Sequence, residues 1–136
     1  MSYPYSHRIE VRFRDCDMMG HVNNAVFFTY LEQTRVVFAE RSEFRRELGG
    51  VGLIVARVEC DFKTPVLFGE VVDVGMRVAS IGRSSFALEY EIAKVGDGTL
   101  AAQAKSVQVV FDYKAGRSVE IPPGLRAKLE RAKGES

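Results

Sequence analysis

Apolar and polar residues alternate in five stretches of this chain and recur at helical spacing in one. A first strand is predicted over residues 5–14, where Ile9, Val11 and Phe13 alternate with charged residues. A helix is predicted from residue 24 to about Leu48, where Gly49 and Gly50 supply the permissive backbone that ends it. Its apolar stripe, with residues spaced by three and four, consists of Phe27, Tyr30, Leu31, Thr34, Val37 and Phe38.

Four more strands are predicted between residues 51 and 113, separated by tight turns such as Gly96-Asp97-Gly98. The inward faces are predicted to be Ile54, Ala56, Val58, Cys60 and Phe62 in the first of them; Val72, Val74, Met76 and Val78 in the second; Phe86, Leu88, Tyr90 and Ile92 in the third; Val107, Val109, Phe111 and Tyr113 in the last. Residues 122–133 are predicted to form a short, charged, peripheral helix.

The order of one strand, one long helix and four strands predicts an α+β fold in one domain spanning residues 1–136. The antiparallel sheet has one face to bury, and the long helix is the only large element that can cover it. The other face is predicted to carry Ala87, Ala102 and Ala104 among polar residues, so it is either solvated or packed against another subunit.

Composition excludes several classes of function. Nineteen basic and eighteen acidic residues give a net charge of +1, which does not favour a nucleic-acid or membrane-surface partner. Two cysteines are too few for a disulfide framework, and neither a signal-peptide h-region nor a membrane span is present. A reduced, cytoplasmic protein is therefore expected.

The chemistry is concentrated between the first strand and the helix, in residues 13–24. This stretch holds Asp15, Cys16, Asp17 and His21, and Asn23 is a plausible N-cap of the helix. A strand-to-helix turn aims unpaired backbone N–H groups at whatever lies beside the carboxylates. The arrangement indicates a place where a carbonyl oxygen is polarised.

The motif Asp15-Cys16-Asp17-x-x-Gly20-His21-Val22-Asn23-Asn24, followed by Tyr30-Leu31-Glu32-x-x-Arg35, resembles the 4-hydroxybenzoyl-CoA thioesterase family. The resemblance implies the hotdog fold, a five-stranded antiparallel sheet wrapped around one long central helix. The sequence from His21 to Asn24 is more similar to members that cleave fatty-acyl thioesters than to aryl-CoA members. Many members have Tyr early in the helix, where this chain has Phe27, so a hydroxyl role is lost there.

The resemblance also implies roles for single residues. Asp17 matches the catalytic carboxylate, and Asn24 matches the position whose backbone N–H polarises the thioester carbonyl. Gly20, His21 and Asn23 are supporting residues of the same motif. The predicted substrate contacts, at the acyl group and at the CoA phosphates, are Phe27, Arg83, Ser84 and Ser85.

Each residue also has a simpler structural interpretation. Asp17 would otherwise be a loop aspartate that caps a turn. Asp15 is expected to orient the loop or to pair with Arg12 or Arg14. Cys16 lacks a base at a defined spacing and is not favoured as a nucleophile. His21 fits equally well as a substrate-orienting group or as a loop histidine that hydrogen-bonds to backbone.

Glu32 is the rival catalytic acid, because other branches of the hotdog fold place their acid on this helix. Its simpler interpretation, an ion pair with Arg35 three residues later, is favoured. Metal ligands and a redox cofactor are not implied, because two His and two Cys are scattered and no glycine-rich phosphate loop is present.

The sequence therefore predicts an acyl-CoA thioesterase in which Asp17 is nucleophile or general base. An acyl carrier protein thioesterase and a non-catalytic acyl-binding module are the alternatives. Because hotdog domains of the resembling family pair and share active sites, a homodimer or homotetramer is expected, with acyl-CoA as the partner molecule.

Overall fold

The structure, a computed structural model, describes residues 3–133 of the 136-residue chain. The helices are α1 (Asn24–Arg41), α2 (Phe44–Leu48) and α3 (Pro123–Arg131), and one turn of 3-10 helix spans Phe13–Asp15. The strands are β1 (Tyr5–Glu10), β2 (Gly52–Phe62), β3 (Val71–Ile81), β4 (Ser85–Lys94), β5 (Leu100–Asp112) and the two-residue β6 (Arg117–Ser118).

The five long strands form one antiparallel sheet in the order β1-β3-β4-β5-β2. The short β6 is not part of this order and pairs with the end of β5. The five long strands were predicted, and β6 was not. The inner face of the sheet packs against α1, whose residues Phe27, Tyr30, Leu31, Thr34 and Phe38 are buried. The apolar stripe was therefore the correct signal for the face of the helix that is covered.

The predicted bounds of β1 and of the helix were wrong. β1 ends at Glu10, and the chain turns through the 3-10 helix before it reaches the motif. The long helix ends at Arg41, because Glu43 adopts a left-handed conformation with φ of 55°. The Lys128 ammonium group donates to the carbonyls of Ser42 and Glu43, which satisfies the helix end at this break. The sheet is therefore not covered by one continuous helix: α1 packs on it and α3 contacts β3, while α2 packs against α1 and α3.

The predicted inward face of β5 was also wrong. Tyr90 of β4 lies opposite Ala104, and Ile92 lies opposite Ala102, so these small residues face the core together with their bulky partners. Directly opposed residues of an antiparallel pair share one face, and the large side chains of β4 leave room only for small ones on β5. The outer face therefore lacks the alanines of β5 as a packing surface, although Ala87 does lie there opposite Val107.

Buried polar groups on β5 are satisfied by a directional chain of hydrogen bonds. Arg35 donates to the Tyr90 hydroxyl at 3.1 Å. The Ser106 hydroxyl donates to the side-chain oxygen of Gln108, so Tyr90 must donate to Ser106. The amide of Gln108 donates to the Phe86 carbonyl at 3.2 Å. The chain explains how Ser106 and Gln108 are tolerated in the core.

A β-bulge changes the phase of β2. The pairing with β5 shifts between Val55 and Arg57, so Ala56 has no opposite residue. Val58, Cys60 and Phe62 share the inner face as predicted, whereas Ile54 is opposite Val109 on the outer face. The inner face of β2 is poorly covered, since Val55 is 47% and Phe62 42% exposed.

The C-terminal helix was predicted to be peripheral, but α3 is docked. Leu125 and Leu129, one turn apart, are completely buried. The segment before the helix also contacts the β3–β4 turn, because Ile121 donates its backbone N–H to the Arg83 carbonyl at 2.9 Å. Charged residues on its outer side hid this apolar stripe in the sequence.

Candidate active site

Residues 15–23 form a short hairpin that projects between β1 and α1. Its rungs are the hydrogen bond from the Asn23 N–H to the Asp15 carbonyl at 2.9 Å and that from the Asp17 N–H to the His21 carbonyl at 2.8 Å. Cys16 and Val22 are paired between them. At the tip, Gly20 has φ of 81° and closes the turn with a 3.1 Å bond to the Asp17 carbonyl. A residue with a side chain is strained there, which explains the glycine.

Asp17 occupies the last rung of this hairpin and is exposed to solvent. Its Oδ1 accepts from the backbone N–H groups of Met19 at 2.9 Å and His21 at 3.3 Å. Asp17 thus caps the turn, as its simpler structural interpretation predicts. Its Oδ2 has no hydrogen-bond partner within residues 3–133, so one carboxylate oxygen fixes the side chain while the other faces solvent.

Asp15 anchors the hairpin from inside the protein, where its side chain is 2% exposed. Its Oδ2 accepts from the Tyr30 hydroxyl at 2.7 Å and from the Arg12 N–H at 2.9 Å, and the Arg12 guanidinium binds Oδ1 at 2.9 Å. Burial alone disfavours the charged carboxylate, but the bonds from Arg12 and Tyr30 outweigh it and hold the pKa of Asp15 below its usual value. The prediction that Asp15 orients the loop and pairs with Arg12 is confirmed.

The hairpin ends at the N-terminus of α1. Asn23 is the N-cap, since its side-chain oxygen accepts from the Ala25 N–H at 2.9 Å, as predicted. Asn24 is the first residue of the helix, and its N–H is one of the groups that have no partner inside the helix. The positive end of the helix dipole and this donor thus lie directly after the hairpin that carries Asp17.

Cys16 and His21, the two remaining titratable groups of the hairpin, differ in their suitability for a role in the site. Desolvation and the carboxylates of Asp15 and Asp17 raise the pKa of Cys16, which keeps the thiol protonated and argues against a nucleophile. The side chain of His21 makes no hydrogen bond within the described residues. Of the two interpretations of His21, the hydrogen bond from the imidazole to backbone is therefore not made, and the ring is available to a ligand.

The predicted ion pair between Glu32 and Arg35 is absent from the described part of the chain. Arg35 turns inward and donates to Tyr90 instead. Glu32 and Arg35 both line a cavity of about 200 Å³ between α1, α2 and the sheet, whose walls are otherwise mainly apolar. Glu32 is eight residues beyond Asn24, about 12 Å along the helix axis, so it does not share the site of Asp17 in one chain.

Phe27 is in the core rather than in an open wall. Its ring is 3% exposed and lies 5.2 Å from the ring of Phe62, centroid to centroid. Of this pair, Phe62 is the exposed member.

Arg83, Ser84 and Ser85 lie at the other end of the sheet. The hairpin of Asp17 begins where β1 meets the first residue of β3, because Glu10 pairs with Val71. Arg83 lies just beyond the opposite end of β3, which is eleven residues, or roughly 30 Å, long. A single chain therefore does not bring Arg83 to Asp17.

Sequence reasoning missed the bond between Tyr30 and Asp15. Tyr30 was assigned to the apolar stripe, and its ring is indeed buried. The only available signal was that a buried tyrosine hydroxyl needs a partner. Among residues 3–133, no group of His, Cys, Asp and Glu side chains is arranged to hold a metal ion, and no helix is long and apolar enough to cross a membrane.

Solved structures and known proteins resemble this chain over nearly its whole length. A thioesterase from Thermus thermophilus, crystallised with coenzyme A and Zn, is 36% identical, with a TM-score of 0.84 and 98% of each chain covered. The long-chain acyl-CoA thioesterase FadM of Escherichia coli is 24% identical, covering 91% of this chain and 96% of FadM. The chloroplastic acyl-acyl carrier protein thioesterase ATL3 of Arabidopsis thaliana is 29% identical, covering 90% of this chain and 67% of ATL3.

A sequence model of the thioesterase-like superfamily matches residues 11–129. The match begins before the hairpin and ends inside α3, so it includes the candidate site and the whole sheet except β1. With this match and the shared fold, the chain belongs to the thioesterase-like superfamily with the hotdog fold, and it is a hydrolase of the thioesterase class.

Proposed function

We propose that this protein hydrolyses acyl-CoA thioesters, with Asp17 as the catalytic carboxylate and the Asn24 N–H as the group that polarises the carbonyl. One observation carries the assignment: Asp17 is held by Oδ1 in a hydrogen-bonded hairpin, while Oδ2 has no partner within residues 3–133, directly before a helix N-terminus. A thioesterase needs a positioned carboxylate and a donor for the developing oxyanion, and this geometry supplies both.

Two reaction courses fit this site. With Asp17 as general base, its carboxylate takes a proton from water, the water oxygen bonds to the carbonyl carbon, and the C–S bond breaks to release the thiolate, which receives the proton. With Asp17 as nucleophile, a carboxylate oxygen attacks the carbonyl carbon, the thiolate leaves, and water then hydrolyses the mixed anhydride. In both, the Asn24 N–H donates to the oxyanion of the tetrahedral intermediate.

The acyl group is proposed to be a fatty-acyl rather than an aryl group. The motif of residues 21–24, which is more similar to that of members that cleave fatty-acyl thioesters, supports this. The narrower membership of the 4-hydroxybenzoyl-CoA thioesterase family is part of the same proposal.

The active protein is proposed to be at least a dimer formed through the β2 edge. β2 is the outer strand on one side of the sheet, and Val36, Val55 and Phe62 expose apolar surface there. Antiparallel pairing of two β2 strands places the Phe62 end of one chain beside the Gly52 end of the other. That is the end at which Arg83 lies, so a second copy would bring its Arg83, Ser84 and Ser85 towards Asp17.

Arg83 is proposed to bind the CoA phosphates in this arrangement. The relative from Thermus thermophilus was crystallised with coenzyme A, which supports CoA as the acyl carrier. ATL3 is named as an acyl-acyl carrier protein thioesterase, so a carrier-protein substrate remains the second candidate. Two free cysteines fit a reducing compartment such as the cytoplasm.

The test is the release of free thiol from a panel of aryl-CoA, short- to long-chain acyl-CoA and acyl-carrier-protein substrates. We expect the highest kcat/KM for an alkyl acyl-CoA. Preference for the carrier-protein thioester would exchange the first candidate for the second. Binding of acyl-CoA without hydrolysis of any substrate would make the protein an acyl-binding module.

A further inference from the structure

A second cavity lies away from the candidate active site, where β1, the end of α1 and the end of α3 meet. Its volume is about 560 Å³, within the range of small-molecule sites. Tyr5 and Phe38 form an aromatic wall, with ring centroids 5.2 Å apart. Asp17 is at the N-terminal end of α1, and this cavity is at the opposite end of the same helix.

Among residues 3–133, three cations and no carboxylate line this cavity. They are Arg41, Lys128 and Arg131. Nearby acids are engaged elsewhere: Glu43 pairs with Arg46 at 3.3 Å, and Glu130 pairs with Lys133 at 3.3 Å. Within residues 3–133, neither Arg41 nor Arg131 has a carboxylate partner, so both guanidinium groups keep their forked donors free for a ligand.

The cations have a purely structural alternative role, because positive charge stabilises the C-terminus of a helix. Arg41 is in the last turn of α1, and Lys128 and Arg131 are in the last turn of α3. Each helix end carries only about half a negative charge. Lys128 already serves the end of α1 through its bonds to the Ser42 and Glu43 carbonyls. Three positive charges against about one negative charge leave the cavity strongly cationic.

The Arg41 guanidinium lies 6.0 Å from the centroid of the Tyr5 ring, so this cation and the aromatic wall belong to one surface. The Tyr5 hydroxyl itself is buried and has no hydrogen-bond partner within the described residues, so the ring, not the hydroxyl, is what the cavity offers to a ligand.

From these features we propose that the cavity binds an organic phosphate, with its phosphate groups on Arg41 and Arg131 and its apolar or aromatic part against Tyr5 and Phe38. Planar guanidinium groups bind phosphate oxygens in pairs, and three cations suit a polyanion better than a single carboxylate. The site is separate from the proposed CoA contact at Arg83 and does not depend on the thioesterase assignment.

Calorimetric titration of the full chain with ADP tests the proposal, because ADP combines a diphosphate with an aromatic base. We expect saturable binding that is weakened about a hundredfold or more in the double variant Arg41→Gln, Arg131→Gln, since each charge-assisted bond carries roughly tenfold or more in affinity. The double variant Arg41→Lys, Arg131→Lys should stay within about tenfold of the native affinity, because it keeps the charge.

Matched controls separate this site from general charge effects and from the proposed CoA contact. Arg45→Gln with Arg117→Gln removes two exposed arginines elsewhere and should leave ADP binding unchanged. Arg83→Ala should retain this binding. The proposal is overturned if native protein does not bind ADP, if the glutamine variant binds it as native protein does, or if Arg83→Ala abolishes binding. Pyrophosphate binding as tight as that of ADP would overturn the role of the aromatic wall.

Discussion

The Tyr30 hydroxyl donates a 2.7 Å hydrogen bond to the buried Asp15 carboxylate, fifteen residues earlier in the chain. This bond ties the first turns of α1 to the base of the hairpin that carries Asp17. Asp15 in turn accepts from the Arg12 backbone and guanidinium. The position of the candidate catalytic carboxylate relative to the helix N-terminus is thus set by a buried charge that solvent does not reach.

Tyr30→Phe should therefore damage both stability and turnover. The ring still fills its place in the core, but Asp15 loses a donor, and an incompletely paired buried charge costs about 1–3 kcal/mol of unfolding free energy. Misplacement of the hairpin should lower kcat by up to about a hundredfold, with KM little changed, because Tyr30 does not contact the solvent-facing side of Asp17. Urea unfolding and steady-state kinetics measure the two effects.

Tyr113→Phe is the matched control, because Tyr113 is 66% exposed and its hydroxyl makes no hydrogen bond within residues 3–133. It should change stability by less than about 0.5 kcal/mol. If the two variants had equal unfolding free energies and equal kcat, the bond between Tyr30 and Asp15 would contribute to neither.

Asp15 should also make stability depend on acidic pH. Because its pKa in the folded state lies below the unfolded value of about 3.9, the folded state binds fewer protons there. Its stabilisation is present above the unfolded pKa and is lost as the pH falls through the folded-state pKa. Asp15→Asn should be less stable than native protein at pH 7, and the two unfolding free energies should converge below about pH 4.

The measurement is urea unfolding at several pH values from about 7 down to about 3, across the window that linkage sets for a carboxyl group. A constant difference between native protein and Asp15→Asn over this range would contradict the assignment, since an asparagine does not titrate. Arg8→Gln with Asp73→Asn, which removes an exposed pair from the β1–β3 edge, is a control that should have little effect at any of these pH values.

A shared active site predicts complementation between two impaired variants. If Arg83 of a second copy serves Asp17, a mixed dimer of Asp17→Asn and Arg83→Ala chains contains one intact site and one site with both changes. Random pairing should then restore about a quarter of the sites to native kinetics, because half of the dimers are mixed. Activity is assayed below the native KM, since loss of a phosphate contact mainly raises KM.

Refolding the two chains together, and separately as a control, supplies the samples for this assay. Light scattering should show at least a dimer at micromolar concentration. Mixed samples no more active than the average of the separate ones would place Arg83 outside the site of Asp17, and a monomeric mass would remove the shared site altogether.

The alternation of apolar and polar residues predicted the inner face correctly in strands whose core-facing residues are large. Phe86, Leu88, Tyr90 and Ile92 were assigned correctly because every second residue is large and apolar. On β5 the same reasoning chose Val107 and Val109, whereas the core accepts Ala102, Ala104, Ser106 and Gln108. Hydrophobicity alone ranks these residues as outer, and only their cross-strand partners and the bonds to Tyr90 make them inner.

The parts of the site that depend on local sequence were predicted, and the parts that depend on distant contacts were not. The N-cap at Asn23 and the pair of Arg12 with Asp15 lie within a few residues of their partners. The carbonyl of Glu43 at the helix break accepts from Lys128, 85 residues away, and the bond from Arg35 to Tyr90 spans the core. The ion pair between Glu32 and Arg35 was predicted because the sequence alone reveals only those partners that lie in the neighbouring helical turn.

Replacing each of Asp15, Asp17 and Glu32 with the corresponding amide tests which of these three carboxylates is catalytic. Asp17→Asn keeps the hairpin, because the amide oxygen still accepts from the Met19 and His21 N–H groups, but the side chain no longer attacks a carbonyl or accepts a proton from water. Its kcat should fall by about 10²–10⁴-fold with substrate still bound.

Asp15→Asn should lose stability and a smaller part of kcat, because it weakens the anchor without removing the reacting group. Glu32→Gln should be nearly silent in stability, since Glu32 has no ion pair to lose within the described residues, and silent in kcat if its distance of about 12 Å from Asn24 keeps it out of the reaction. Circular dichroism must show equal folding before rates are compared. Loss of turnover in Glu32→Gln with near-native turnover in Asp17→Asn would move the catalytic acid onto α1, into the cavity that Glu32 shares with Arg35.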